Sequence, residues 1–83
     1  MKICPDVTLT DTGQGLVLLN ERTGRYWSLN GTGRAVLLML ADGATPEEAV
    51  DSLTRQHPDF ADRITSDVEA LIKSLLAEKV LLP

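Results

Sequence analysis

The hydrophobic period of this chain changes once, at Asn30, and that change does most to limit the folds open to it. Before Asn30 the apolar residues follow the two-residue period of strands. Val7 and Leu9 alternate with Thr8 and Thr10, Leu16 to Leu19 is apolar on both faces, and Arg25 to Leu29 puts Tyr26 and Ser28 on one face and Trp27 and Leu29 on the other. After Asn30 the period is helical. Ala35 to Leu40 is apolar nearly all round, Ala49, Val50 and Leu53 share one face, and Ile64, Val68, Leu71, Ile72, Leu75 and Leu76 form an i, i+4, i+7, i+8 stripe. Strand, strand, strand, helix, helix, helix is therefore the predicted order, an α+β domain with one shared core.

The boundaries carry their own chemistry. Asp11 to Gly15 reads as a turn, and Asn20 to Gly24 reads as a hairpin connection with Gly24 in a positive-φ position. Asn30 is a good N-cap for the first helix, and Asp42-Gly43 ends it. Thr45 with Glu48 makes a capping box, and Pro46 occupies the first helical position. The second helix, Pro46 to Gln56, stops before His57-Pro58 because the residue preceding a proline is pushed out of the α region. The third starts between Asp59 and Asp62 and ends near Glu78. The apolar tail Val80-Leu81-Leu82-Pro83 is expected to pack back on the domain, and Cys4 to lie at a frayed end.

At 83 residues the chain makes one domain, residues 1–83, too small to enclose a cleft between domains, so its function is expected of a surface. Twelve acidic and eight basic residues give a net charge of −4 with no basic cluster, which opposes binding to nucleic acid or an anionic membrane. A winged-helix DNA reader uses similar parts, but its recognition helix should offer Arg, Lys, Asn or Gln. The third helix offers Asp62, Asp67, Glu69 and Glu78 against Arg63, Lys73 and Lys79.

The longest apolar run, Ala35 to Ala41, is too short to span a membrane, and no signal peptide is apparent, so a soluble cytoplasmic protein is expected. One Cys and one His give no metal-ligand spacing and no nucleophile pair, which predicts no metal, no cofactor and no catalysis. His57 reads as an exposed helix-end residue. Gly31-Thr32-Gly33 lacks the Lys-Ser/Thr of a phosphate loop and reads as a helix-entry turn.

What remains is protein or peptide binding. A three-stranded sheet has two edges, and an edge strand accepts an extended peptide through its free N–H and C=O groups. If Arg25 to Leu29 is an edge, Tyr26 and Trp27 are placed to wall a pocket with apolar residues of the third helix. The plainer reading, in which Trp27 and Leu29 are only core and Tyr26 only a half-exposed strand residue, stays open on this pattern.

The succession "GRYWSLNGTG", "LADGATPEEAV" and "DVEALIKSLLAEKVLL" resembles the PqqD-like family, the RiPP recognition elements, and within it the stand-alone leader-binding proteins of lasso peptide clusters. The resemblance spans essentially the whole chain. It implies a winged-helix-like domain, a three-stranded antiparallel sheet followed by three helices, that binds the leader region of a precursor peptide. The leader would add as a strand beside the third strand, in the groove against the third helix. The resemblance points to Arg25, Tyr26, Trp27 and Ser28 on the strand and to Asp67, Val68, Leu71, Ile72 and Leu75 on the helix. It also implies a separate cysteine-type leader peptidase as partner, with a PqqD-type role in quinone cofactor synthesis or another RiPP pathway as the alternative. One departure is Lys79, where many relatives carry Gly.

Overall fold

The computed structural model describes all 83 residues, Met1 to Pro83. Five strands and three α-helices follow one another as β1 (Lys2–Ile3), β2 (Val7–Asp11), β3 (Leu16–Asn20), β4 (Tyr26–Leu29), α1 (Gly31–Ala41), α2 (Pro46–Gln56), α3 (Ala61–Ala77) and β5 (Leu81–Leu82). A short 3₁₀ turn, Pro58–Phe60, precedes α3. The main sheet is antiparallel in the order β2-β3-β4, and with three helices sharing its core the fold is α+β, as the period change predicts, and winged-helix-like, as the resemblance implies.

The predicted boundary chemistry is in place. Asn20, the one buried polar residue, turns the β3–β4 hairpin by accepting the N–H groups of Arg22 and Thr23 on its side-chain oxygen, at 2.9 and 3.1 Å. Asn30 Oδ1 accepts the N–H of Gly33 at 2.9 Å and caps α1. Thr45 and Glu48 exchange side-chain and backbone hydrogen bonds at 2.9 and 3.1 Å, completing the capping box of α2. At the end of α1, Gly43 has φ +101°, and the N–H groups of Gly43 and Ala44 reach back to Leu40 and Met39.

The inner face of the sheet and the helices share one core. Leu16 and Leu18 of β3, Val36, Leu37 and Leu40 of α1, Ala49 and Leu53 of α2, and Ile64, Val68, Ile72 and Leu75 of α3 are buried together. Each full-sized apolar side chain removed from water there contributes about 1.5–3 kcal/mol. Arg34 of α1 holds Asp11 at the end of β2 through two charge-assisted hydrogen bonds of 2.8 and 2.6 Å. That guanidinium and the N–H of Gly13 lower the Asp11 carboxyl to about 2.

The expectation of a frayed N-terminus needs correction. Lys2 and Ile3 pair antiparallel with Leu82 and Leu81, and the Cys4 N–H donates to the Val80 carbonyl at 2.8 Å. The tail is what holds it, because Val80 and Leu81 are buried in the core and bring a strand edge to the start of the chain. A two-residue strand shows too little period to be read from sequence.

The tail reaches the core by reversing at Lys79, which takes φ +60° while Lys79 and Val80 donate back to Leu76 and Leu75 at 3.1 and 2.9 Å. This left-handed position after a helix is one that glycine occupies without steric penalty and lysine only with strain, which accounts for the Gly that the resemblance implies there. Lys79→Gly should therefore raise stability by about 1 kcal/mol. Urea unfolding checks this, the expected outcome being a higher midpoint with an unchanged slope.

Candidate peptide-binding groove

β4 is short because Gly24 turns the chain just before it and Asn30 starts a helix just after it. Its register is set by β3, with Leu19 opposite Tyr26, Leu18 opposite Trp27, Val17 opposite Ser28 and Leu16 opposite Leu29. Gly15, just before β3, crosses the end of β4 so closely that a Cβ there would collide with the Leu29 carbonyl oxygen. The Asn20 N–H donates to the Arg25 carbonyl at 2.8 Å, so the antiparallel alternation turns the backbone groups of Trp27 and Leu29 toward β3. Those of Tyr26 and Ser28 point off the edge. No other strand covers that side of β4.

The side chains divide as the two-residue period predicts. Trp27 and Leu29 are half-buried against the core, whereas Ser28 is exposed and Tyr26 is 72% exposed on the outer face, beside Leu19 of β3. The Tyr26 ring therefore does not wall the groove with α3. Tyr26 offers an incoming strand its backbone, and on the outer face it offers a ring against which a cross-strand neighbour can pack.

Facing β4 across an open groove of about 500 Å³ is α3. Ser28, Leu29 and Asn30 form the strand side, Thr32, Gly33 and Val36 of α1 form the end, and Arg63, Asp67, Val68 and Leu71 form the helix side. Of the helix residues expected at the site, Asp67 is exposed and Leu71 half-buried at the lip, while Val68 lines the groove from within the core. Ile72 and Leu75 are buried and do not line it; they hold α3 at its distance from the sheet. Arg25 crosses from the strand side to α3, with its guanidinium 5.6 Å from the Trp27 ring centroid and 2.9 Å from Glu78.

Sequence reasoning missed Arg63 on the helix side and Leu29, Asn30, Thr32, Gly33 and Val36 where β4 passes into α1. For Arg63 a signal existed: it lies one turn before Asp67 and two before Leu71, on the face beside the apolar stripe. A second depression of about 340 Å³ lies between α2 and α3, rimmed by Glu47, Asp51 and Glu69, but no strand edge borders it. His57 is exposed at the end of α2, and nowhere do three His, Cys, Asp or Glu side chains gather as a metal site would need. No helix is long and apolar enough to cross a membrane.

A three-stranded sheet whose β4 edge is unpaired and lies beside a helix-walled and partly apolar groove defines a winged-helix-like domain suited to take an extended chain. The chain belongs to the PqqD family, whose model, described as coenzyme PQQ synthesis protein D, matches residues 15–81. Two solved structures share the fold over nearly their full length. One is a lasso peptide synthetase B1 complexed with the leader peptide, 32% identical, covering 99% of this chain and 96% of that chain with a TM-score of 0.87. The other is TbiB1 in complex with the TbiA(β) leader peptide, 27% identical, covering 98% of this chain and 94% of that chain with a TM-score of 0.87. Among curated proteins none matches.

Because the Tyr26 ring packs on nothing inward, Tyr26→Ala should leave the fold intact and cost an added strand about 1 kcal/mol of cross-strand packing. Circular dichroism and calorimetric titration with a leader peptide check the two halves separately.

Proposed function

We propose that this protein is a non-catalytic RiPP recognition element of the cytoplasm, which binds the leader region of a lasso precursor peptide by strand addition to β4. The observation that carries the reading is the uncovered edge at Tyr26 and Ser28 beside the groove, in a chain whose similar structures are complexes with leader peptides. Backbone pairing at the edge supplies affinity that tolerates sequence variation, and the groove supplies selection. In this reading Arg25, Tyr26, Trp27 and Ser28 form the strand side and Asp67, Val68 and Leu71 the helix side, with Ile72 and Leu75 acting from behind.

The bound leader is then delivered to a separate cysteine-type leader peptidase. Tethering raises the effective concentration of the precursor at the partner's site without new contacts to the part that is processed. A second reading keeps the mechanism and changes the pathway: a PqqD-type peptide chaperone for quinone cofactor synthesis, the pathway that the family description names, or for another RiPP pathway. The two differ in which precursor binds.

Trp27 is half-buried under Arg25, at the strand that the peptide joins, so its fluorescence should respond to binding. Titration with the leader of the precursor encoded beside this chain should give a saturable change, and calorimetry should agree; absence of saturable binding would sink the proposal. Ser28→Pro is the sharper variant. The Ser28 N–H is not used by β3, so proline is tolerated by the fold, yet it removes a donor from the free edge and obstructs a joining strand. The expected outcome is an unchanged circular dichroism spectrum with leader binding weakened at least about tenfold, the effect of losing roughly 1.4 kcal/mol.

A further inference from the structure

The walls of the groove are tied together near one end and free at the other. At the start of β4, Arg25 lies over the Trp27 ring and is paired with Glu78 at the end of α3, so a cation stacked on an indole ties the two walls together. At the other end β4 gives way to α1, and nothing ties the walls. There Thr32, Arg63 and Asp67, which border the main groove, also border a further depression of about 310 Å³ that continues to His57, Phe60 and Ile64. The two depressions adjoin at these three residues and together offer one channel to a chain that leaves β4.

Its lengths are unequal. Four residues of β4 extend about 13 Å, at roughly 3.3 Å each, whereas the 17 residues of α3 extend about 26 Å, at 1.5 Å each. A peptide lying along α3 therefore outruns the strand it pairs with and leaves it past Leu29. The outward groups of two residues, Tyr26 and Ser28, are also few to hold a flexible peptide against the freedom it loses on binding. Contacts beyond the strand are needed.

Two features of the far end say what those contacts are. Phe60, in the 3₁₀ turn before α3, is 52% exposed and stands at the rim of the channel as a large apolar surface without cover. Arg63 is the exception among five arginines: Arg22, Arg25, Arg34 and Arg55 are ion-paired, and Arg63 is not, although Asp67 follows one turn later on the same helix. A free cation and a bare aromatic ring, side by side on the path of the peptide, form a complementary surface for a carboxylate next to a bulky apolar side chain.

We infer that the peptide is read beyond the added strand, by a subsite at Phe60 and Arg63 that takes a bulky apolar residue flanked by Asp or Glu, and that this subsite sets which peptides are accepted. The inference rests on the leader-binding reading. The β4 edge then supplies register and general affinity, the Arg25–Glu78 pair ties the walls at the opposite end, and the peptide extends toward α1. If the added strand runs antiparallel to β4, the residues on the subsite are those N-terminal to the paired segment; if parallel, those C-terminal to it.

Calorimetric titration with the leader of the precursor encoded beside this chain tests the inference on the wild type, Phe60→Ala, Arg63→Glu and Ser28→Pro. Phe60 and Arg63 are exposed, and an added Glu near the start of α3 suits the helix dipole, so both variants should fold as the wild type does. Each should bind about tenfold more weakly, as loss of an interface anchor does. Shortening the leader at one end should cost the wild type a similar factor and cost Phe60→Ala little more. A leader whose acidic residue on that flank is changed to Lys should recover affinity for Arg63→Glu.

Full affinity in both Phe60→Ala and Arg63→Glu, with binding still lost in Ser28→Pro, would overturn the subsite and leave strand addition standing. A wild type that binds no leader overturns the leader-binding reading and the subsite with it.

Discussion

Everything in this domain depends on the burial of one face of a three-stranded sheet. Leu16 and Leu18 of β3 are 1% and 0% exposed, and the side chains that cover them come mainly from α1, where Val36, Leu37 and Leu40 are equally dry. A sheet this small keeps its shape only if a helix lies across it. Because Asn30 alone separates β4 from α1, that helix is delivered to the inner face and not to the edge of β4. The edge is left free by the same connection that covers the core.

The other helices fix what stands opposite the free edge. α2 is held by its capping box and its Ala49 and Leu53 contacts, and α3 packs on it through Ile64 and Val68. Ile72 and Leu75 anchor the second half of α3 and so keep its outer face, Arg63, Asp67 and Leu71, parallel to the strand but apart from it. The tail completes the arrangement. After the reversal at Lys79, Val80 and Leu81 fill the core while β5 pairs with β1, which ties both ends of the chain together. Unpaired strand edges invite unwanted pairing, and here both edge strands are short, five residues in β2 and four in β4.

The polar groups follow the same division. Asn20, Asn30, Thr45 and Asp11 spend their side chains on turns, caps and the Arg34 link, all of which fix the frame. Arg63 and Asp67 have no such partner and border the channel. The frame is saturated with its own hydrogen bonds, and the unspent groups lie where a second chain would meet them.

The sequence by itself determined the three strands of the main sheet and the three helices, their order, and the inward position of Trp27 and Leu29. These rest on local chemistry: the two-residue period, the N-cap at Asn30, the capping box at Thr45 and the glycine after Asp42 each act within a few residues. The wider α3 stripe could not be divided in advance, because a 3.6-residue period places Leu71 and Ile72 on adjacent faces and only the position of the sheet decides which is covered. The pairing of Lys2–Ile3 with Leu81–Leu82 was hidden for a related reason: it joins segments far apart in the chain and too short to show a period. The meeting of Arg63 with the end of β4, and of Phe60 with Thr32 at the start of α1, belongs to the tertiary structure alone, since it depends on the turn at Pro58–Phe60 and on how α3 lies against the sheet. Local periods select elements, and competition among distant apolar faces for one core selects which edges and side chains are left to bind.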